Sequence, residues 1–115
     1  MTPPAVTPLR GEVWEVQFPP PVGTLPAVVL TTNALITRLG AVTVAEITST
    51  AGPSSTHVEV SSEAGLTGRD RSWVNTTGLH TTPRGRLRRR RGRLAPPELD
   101  SVGAAVRRYL DIDPE

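Results

Sequence analysis

Along the chain, short apolar-rich segments alternate with stretches of proline, glycine and small polar residues. Glu12-Val13-Trp14-Glu15-Val16-Gln17-Phe18 is rich in β-branched and aromatic residues and reads as a first strand. Pro19 to Thr24 cannot continue a ladder and reads as a loop long enough to carry function. Ala27-Val28-Val29-Leu30-Thr31-Thr32 is a continuous apolar run, the pattern of a central strand, and Asn33 to Arg38 is a short excursion of about one helical turn. Ala41 to Thr48 predicts a third strand, Ala51 to Ser55 a loop, and the alternating Thr56-His57-Val58-Glu59-Val60 a half-buried fourth strand. Arg71 to Asn75 predicts a fifth strand, and Leu87 to Leu94 a sixth with a basic exposed face.

After Pro96-Pro97 the period changes. Leu99, Val102, Val106, Tyr109 and Leu110 recur at spacings of mostly three and four, and proline opens helices well, so one amphipathic helix is expected to close the chain against the sheet. Many short strands followed by a late helix predict a mainly β fold, a small barrel with a C-terminal α-helix, rather than a βαβ architecture. One domain over 1–115 is expected, with a flexible proline-rich lead-in at 1–9.

With 115 residues and a hydrophobic fraction of 37%, the core is small, so a partner subunit would help to stabilise it. There is no cysteine, which excludes disulfides and thiolate metal sites. With only His57 and His80, no multi-histidine metal site and no cofactor are expected. No apolar run approaches a membrane span, and Met1-Thr2-Pro3-Pro4 lacks a signal-peptide pattern, so no membrane association is expected and a cytoplasmic location is.

Charge changes the picture more. All 13 basic residues are arginine, and seven of them lie between Arg84 and Arg93. A basic run on a chain whose net charge is only +2 points to a local polyanion site. The same run also fits a solvated edge strand whose charges discourage aggregation. In a strand, only about half of these arginines can face one ligand.

The ordered set of segments resembles the MazF/PemK toxin family from Arg10 to Ile112. Arg10-Gly11-Glu12-Val13-Trp14 is similar to that family's Arg-Gly-acid-aromatic opening. Pro26-Ala27-Val28-Val29-Leu30 followed by Asn33 resembles its second strand and turn. Ile47-Thr48-Ser49-Thr50 with Thr56 to Val60 resembles the third and fourth strands. Val74-Asn75, Leu79-His80-Thr81 and Arg86 through Leu94 resemble the fifth strand and the segment after it, in the style of an actinobacterial branch.

The resemblance implies an SH3-like barrel of the CcdB/MazF type. It implies a homodimeric toxin of a type II toxin–antitoxin system, cleaving single-stranded RNA at short sequences without a metal. It also implies an acidic, partly disordered MazE-like antitoxin as partner. Two positions depart from the family: Leu25 stands where an arginine held to be catalytic usually precedes the proline, and Thr77-Gly78 stands where many members have Asp-Gln.

Metal-free cleavage uses the substrate's 2′-hydroxyl as nucleophile. The protein must move its proton and stabilise charge on phosphorus. Thr48 matches the family threonine that hydrogen-bonds the scissile phosphate; the plain alternative is a polar strand end. His80 could act as general acid or base or stack on a base, since histidine is the side chain whose ordinary pKa lies near neutrality; the alternative is a surface histidine. Arg86 and Arg84 are candidates to replace the missing arginine, so Thr48, His80 and Arg86 form the expected catalytic set. Arg10, Ser49, Asn75, Arg84, Arg88 and Arg90 are the expected RNA contacts. His57 reads as structural or solvated, and Trp14 and Trp73 as core.

Overall fold

The computed structural model describes residues 7–66 and 71–112. Six strands succeed one another: β1 (Glu12–Gln17), β2 (Thr24–Val29), β3 (Ala41–Thr48), β4 (His57–Val60), β5 (Ser72–Pro83) and β6 (Leu87–Arg93). A short helix α1 (Asn33–Ile36) joins β2 to β3, and α2 (Pro96–Tyr109) closes the chain. All pairings are antiparallel, and the order across the sheet is β4-β5-β3-β2-β1-β6.

Alternation divides the apolar side chains between two cores. Val13, Val28, Ala45, Ile47 and Val74 face α2 and bury Val102 and Leu94 with them. Trp14, Val16, Phe18, Ala27, Val29, Val42 and Val44 point the other way and enclose Ile36 and Leu87. Ala27, Val28 and Val29 are all fully buried, which is why β2 reads as an unbroken apolar run. Glu98 fixes the start of α2: its carboxylate accepts from the Ala95 N–H at 2.9 Å and from the Ser61 N–H, at the end of β4, at 2.7 Å.

The second core exists because the sheet curls. β1 and β5 are separated by β3 and β2, so flat spacing would hold them about 14 Å apart. The rings of Phe18, just past β1, and His80, on β5, nevertheless lie 4.5 Å apart. The curl brings the two sheet edges together without joining them. Behind β4, a 3-10 turn at Ser62–Ala64 abuts β6 on the far edge. A Cβ on Gly65 would stand 1.9 Å from the Arg91 carbonyl oxygen, and one on Gly92 would stand 2.3 Å from that of Glu63. The sheet is thus open rather than a closed barrel: among the described residues β4 and β6 share no ladder, and glycines let their backbones touch instead.

Gly92→Ala forces backbone against backbone, where no rotamer change relieves the clash. It is expected to cost roughly 1–3 kcal/mol, and so to lower Tm by about 5–20 °C in a thermal melt. An unchanged Tm would show that the edges can part freely.

The lead-in expected over 1–9 lies outside the described residues as far as 6; beyond that, Pro8 is buried and the Leu9 N–H donates to Glu12 Oε1 at 2.8 Å. β2 begins at Thr24 and includes Leu25 and Pro26, earlier than the apolar run suggested. β5 runs to Pro83, well past Asn75, so His80 lies in a strand rather than after one.

Candidate active site

β3 alternates Val42, Val44, Glu46 and Thr48 onto the face that carries the second core. Leu25, Ala27 and Val29 of β2 share that face, with Ala27 registered on Glu46 and Val29 on Val44. The paired stretch ends at Ala27, but the same register carried two residues further sets Leu25 across from Thr48. The position that matches the family arginine and the candidate phosphate-binding threonine therefore lie side by side.

His80 is registered on Val44, so it also belongs to this face. Its Nε2 meets the Glu46 carboxylate in a short contact, and its ring tilts 44° against Phe18. Both polar side chains are partly open, at 33% for His80 and 29% for Glu46. Gly78 makes room for them: a Cβ there would crowd the Glu46 carboxyl at 3.2 Å. The Thr48 Oγ1 accepts the Thr50 N–H at 3.1 Å, which leaves its O–H free to donate to a ligand. Ser49 comes next, exposed.

Glu46 and Phe18 were absent from the sequence-based site. The available signal was a lone carboxylate inside an apolar strand, on the same parity as Thr48. The contact with Phe18 depends on the curl, which pattern alone does not reveal.

The other expected RNA contacts fall into separate places. Arg84, Arg88 and Arg90 line an open pocket of about 800 Å³ floored by Trp14 and Leu87. Arg88 donates twice to Gln17 Oε1, at 3.0 and 2.7 Å, while Arg90 is paired with Glu12 at 2.9 Å and Arg91 with Glu15. Of the seven arginines in this run, two are thus matched to carboxylates, which leaves five without one among the described residues. Arg86 is exposed, without a hydrogen bond or ion pair among the described residues. It precedes Leu87, which is registered on Val16, which in turn is registered on Leu25. Two strand spacings therefore separate it from Leu25, a distance that an arginine side chain can largely bridge.

Arg10 belongs to the opposite side. Its guanidinium donates to the Leu30 carbonyl and lies near Gly103 of α2, so it ties the helix to the sheet. Asn75 turns inward on its own strand: its Oδ1 accepts from the Thr77 N–H at 3.0 Å and from the Thr77 hydroxyl at 2.7 Å. His57 is bonded through Nδ1 to Thr56 Oγ1 at 2.9 Å, and Trp14 is buried. Trp73 is half-buried beneath Arg71, whose guanidinium lies 4.9 Å from the ring centroid. The Arg71 hydrogen bond also holds the Glu59 carboxyl below the usual carboxylate range, at the sheet edge away from this face.

The sequence matches the model of the PemK-like, MazF-like toxins of type II toxin–antitoxin systems over residues 9–110. The chain belongs to this family.

A probable endoribonuclease MazF2 of Mycobacterium tuberculosis is 34% identical over 98 residues, which cover 85% of this chain and 93% of that protein. Among solved structures, the Mycobacterium tuberculosis toxin MazF-mt6 superposes with a TM-score of 0.78 at 27% identity, covering 89% of this chain and 98% of that one. A mycobacterial endoribonuclease in complex with its cognate antitoxin gives a TM-score of 0.81 at 22% identity, covering 92% and 97%, and shares the fold. Within the toxin family, the departure at Leu25 now has a physical meaning: beside Thr48, a side chain with no donor packs against the second core where a guanidinium would be expected.

Proposed function

We infer that the chain is the toxin of a type II toxin–antitoxin pair, an endoribonuclease that cleaves single-stranded RNA through the substrate's own 2′-hydroxyl. The observation that carries this is membership of the toxin family over nearly the whole chain, with a 34% identical relative named as an endoribonuclease. The face bearing Thr48, Glu46 and His80 is the site that fits the reaction.

In that reaction the 2′-oxygen attacks phosphorus and the bond from phosphorus to the 5′-oxygen breaks. The products are a 2′,3′-cyclic phosphate and a 5′-hydroxyl. Thr48 donates its free O–H to a phosphate oxygen. His80 exchanges protons with the reacting oxygens. Arg86, which cannot deprotonate, supplies positive charge to the developing phosphorane in place of the arginine missing at Leu25. Ser49, Arg84, Arg88 and Arg90 hold flanking nucleotides, whereas Arg10 and Asn75 support the fold around them.

The working unit is a homodimer neutralised by an acidic antitoxin that lies over the arginine-rich face. Among the described residues no helix is long and apolar enough to cross a membrane. Action on the cell's own RNA, as proposed here, would take place in the cytoplasm. Light scattering at micromolar concentration should give twice 12.3 kDa; a monomer alone would contradict the dimer.

Cleavage of a short single-stranded RNA should survive an excess of chelator and fall in Thr48→Ala. Leu25 favours a second reading, a protein that binds RNA or antitoxin without cutting. RNA binding with no cleavage under any of these conditions would select it.

A further inference from the structure

Glu46 has no assigned part in the reaction, yet its carboxylate holds the one histidine on the Thr48 face. A carboxylate only accepts hydrogen bonds, and a neutral imidazole has one N–H and one acceptor nitrogen. The contact is at Nε2, so a neutral ring facing the ionised carboxylate takes the tautomer with its hydrogen on Nε2 and its lone pair on Nδ1. Nδ1 has no hydrogen-bond partner among the described residues. Phe18 closes one side of the ring, and the missing side chain at Gly78 leaves the Glu46 carboxyl where it stands.

Glu46 lies two residues from Thr48 on the same face, about 7 Å along the strand. A phosphate bonded to Thr48 is within one nucleotide's length of Glu46 and His80.

Resting on the endoribonuclease reading, we propose that Glu46 is a positioning residue that holds the Nε2–H of His80 and leaves Nδ1 as the proton acceptor for the ribose 2′-hydroxyl. The proton passes from the 2′-oxygen to Nδ1 as the oxygen–phosphorus bond forms. The imidazolium then faces the Glu46 carboxylate, which stabilises it. The proton is returned to the departing 5′-oxygen, so histidine and carboxylate end as they began. In this arrangement the pair passes from a net charge of −1 to zero while the proton is held, so the site takes up the proton without creating an unpaired cation.

Two measurements on the full chain test this. Two-bond 15N–1H correlation spectra, with the histidines assigned by substitution, should show His80 as the Nε2–H tautomer. Glu46→Gln, which can donate as well as accept, should break that preference while Glu46→Asp keeps it in part. In single-turnover cleavage at saturating RNA, Glu46→Gln should be slower on the order of 100-fold, with RNA affinity changed less than about threefold. The same substitution in a His80→Ala background should add nothing, since the two act as one unit. A full rate in Glu46→Gln, an additive loss in the double variant, or an Nδ1–H tautomer in the unaltered protein would each overturn the proposal. If Glu46→Gln does not fold, Glu46→Asp carries the test, and it should lose rate without losing affinity. No cleavage by the unaltered chain would count against the endoribonuclease reading and remove the proton role with it. The tautomer would still report whether Glu46 governs His80.

Discussion

Leu25→Arg should raise the single-turnover rate of RNA cleavage on the order of 100-fold without changing the fold. One well-placed donor to a developing oxyanion is worth about 3–4 kcal/mol, which corresponds to a few hundredfold. If Arg86, two strands away, supplies part of the charge as proposed, the gain should fall somewhat short of that. Leu25 is half-exposed at the start of β2, so a longer, charged side chain can reach solvent and phosphate together. Arg86→Ala should then harm the natural protein more than the Leu25→Arg variant, whereas Thr48→Ala should slow both. That non-additivity marks a replacement. Strictly additive effects would leave Arg86 as a binding residue only.

Salt should act on RNA affinity nearly as strongly. The run from Arg84 to Arg93 carries seven guanidiniums, of which Arg84, Arg86, Arg88 and Arg90 are the ones assigned to the RNA. If these four meet phosphates, the log–log slope of affinity against salt should be about −2.8, from roughly 0.7 per contact on a single strand. Raising salt from about 50 to 200 mM would then weaken binding about 50-fold. Arg84→Ala should lower the slope by about 0.7. An acidic antitoxin on the same face should show comparable dependence. Binding indifferent to ionic strength would mean that the arginines of β6 serve only to guard a sheet edge.

Much of this architecture is legible in the order of residues. The unbroken run Ala27-Val28-Val29 announces a strand buried on both faces, and the change of period after Pro96 announces α2. What eludes pattern is whatever long-range pairing decides. Pro26 looks like a strand breaker, yet it lies beyond the last residue paired with β3, so the ladder on that side loses nothing. The pattern expected for β5 ends at Asn75, with Gly78 just beyond it, but a register irregularity between Ala45 and Ile47 absorbs this stretch and the strand continues to Pro83. Thr48 and Leu25 could be singled out by resemblance, and their adjacency is set by antiparallel register. Glu46 and Phe18 could not, because their relevance arises only when the curl carries the end of β1 onto β5. Likewise Arg10, basic and near the start of the matching segment, looks like an RNA contact until α2 folds across it.

The measurement that bears most directly on this chemistry is the identity of the new RNA ends, taken by mass spectrometry from a reaction run in excess chelator. Attack by the 2′-hydroxyl with His80 as proton acceptor predicts a 2′,3′-cyclic phosphate on one fragment and a 5′-hydroxyl on the other. A 3′-hydroxyl with a 5′-phosphate would mean that water, not the ribose, is the nucleophile, and would contradict the mechanism assigned to this face.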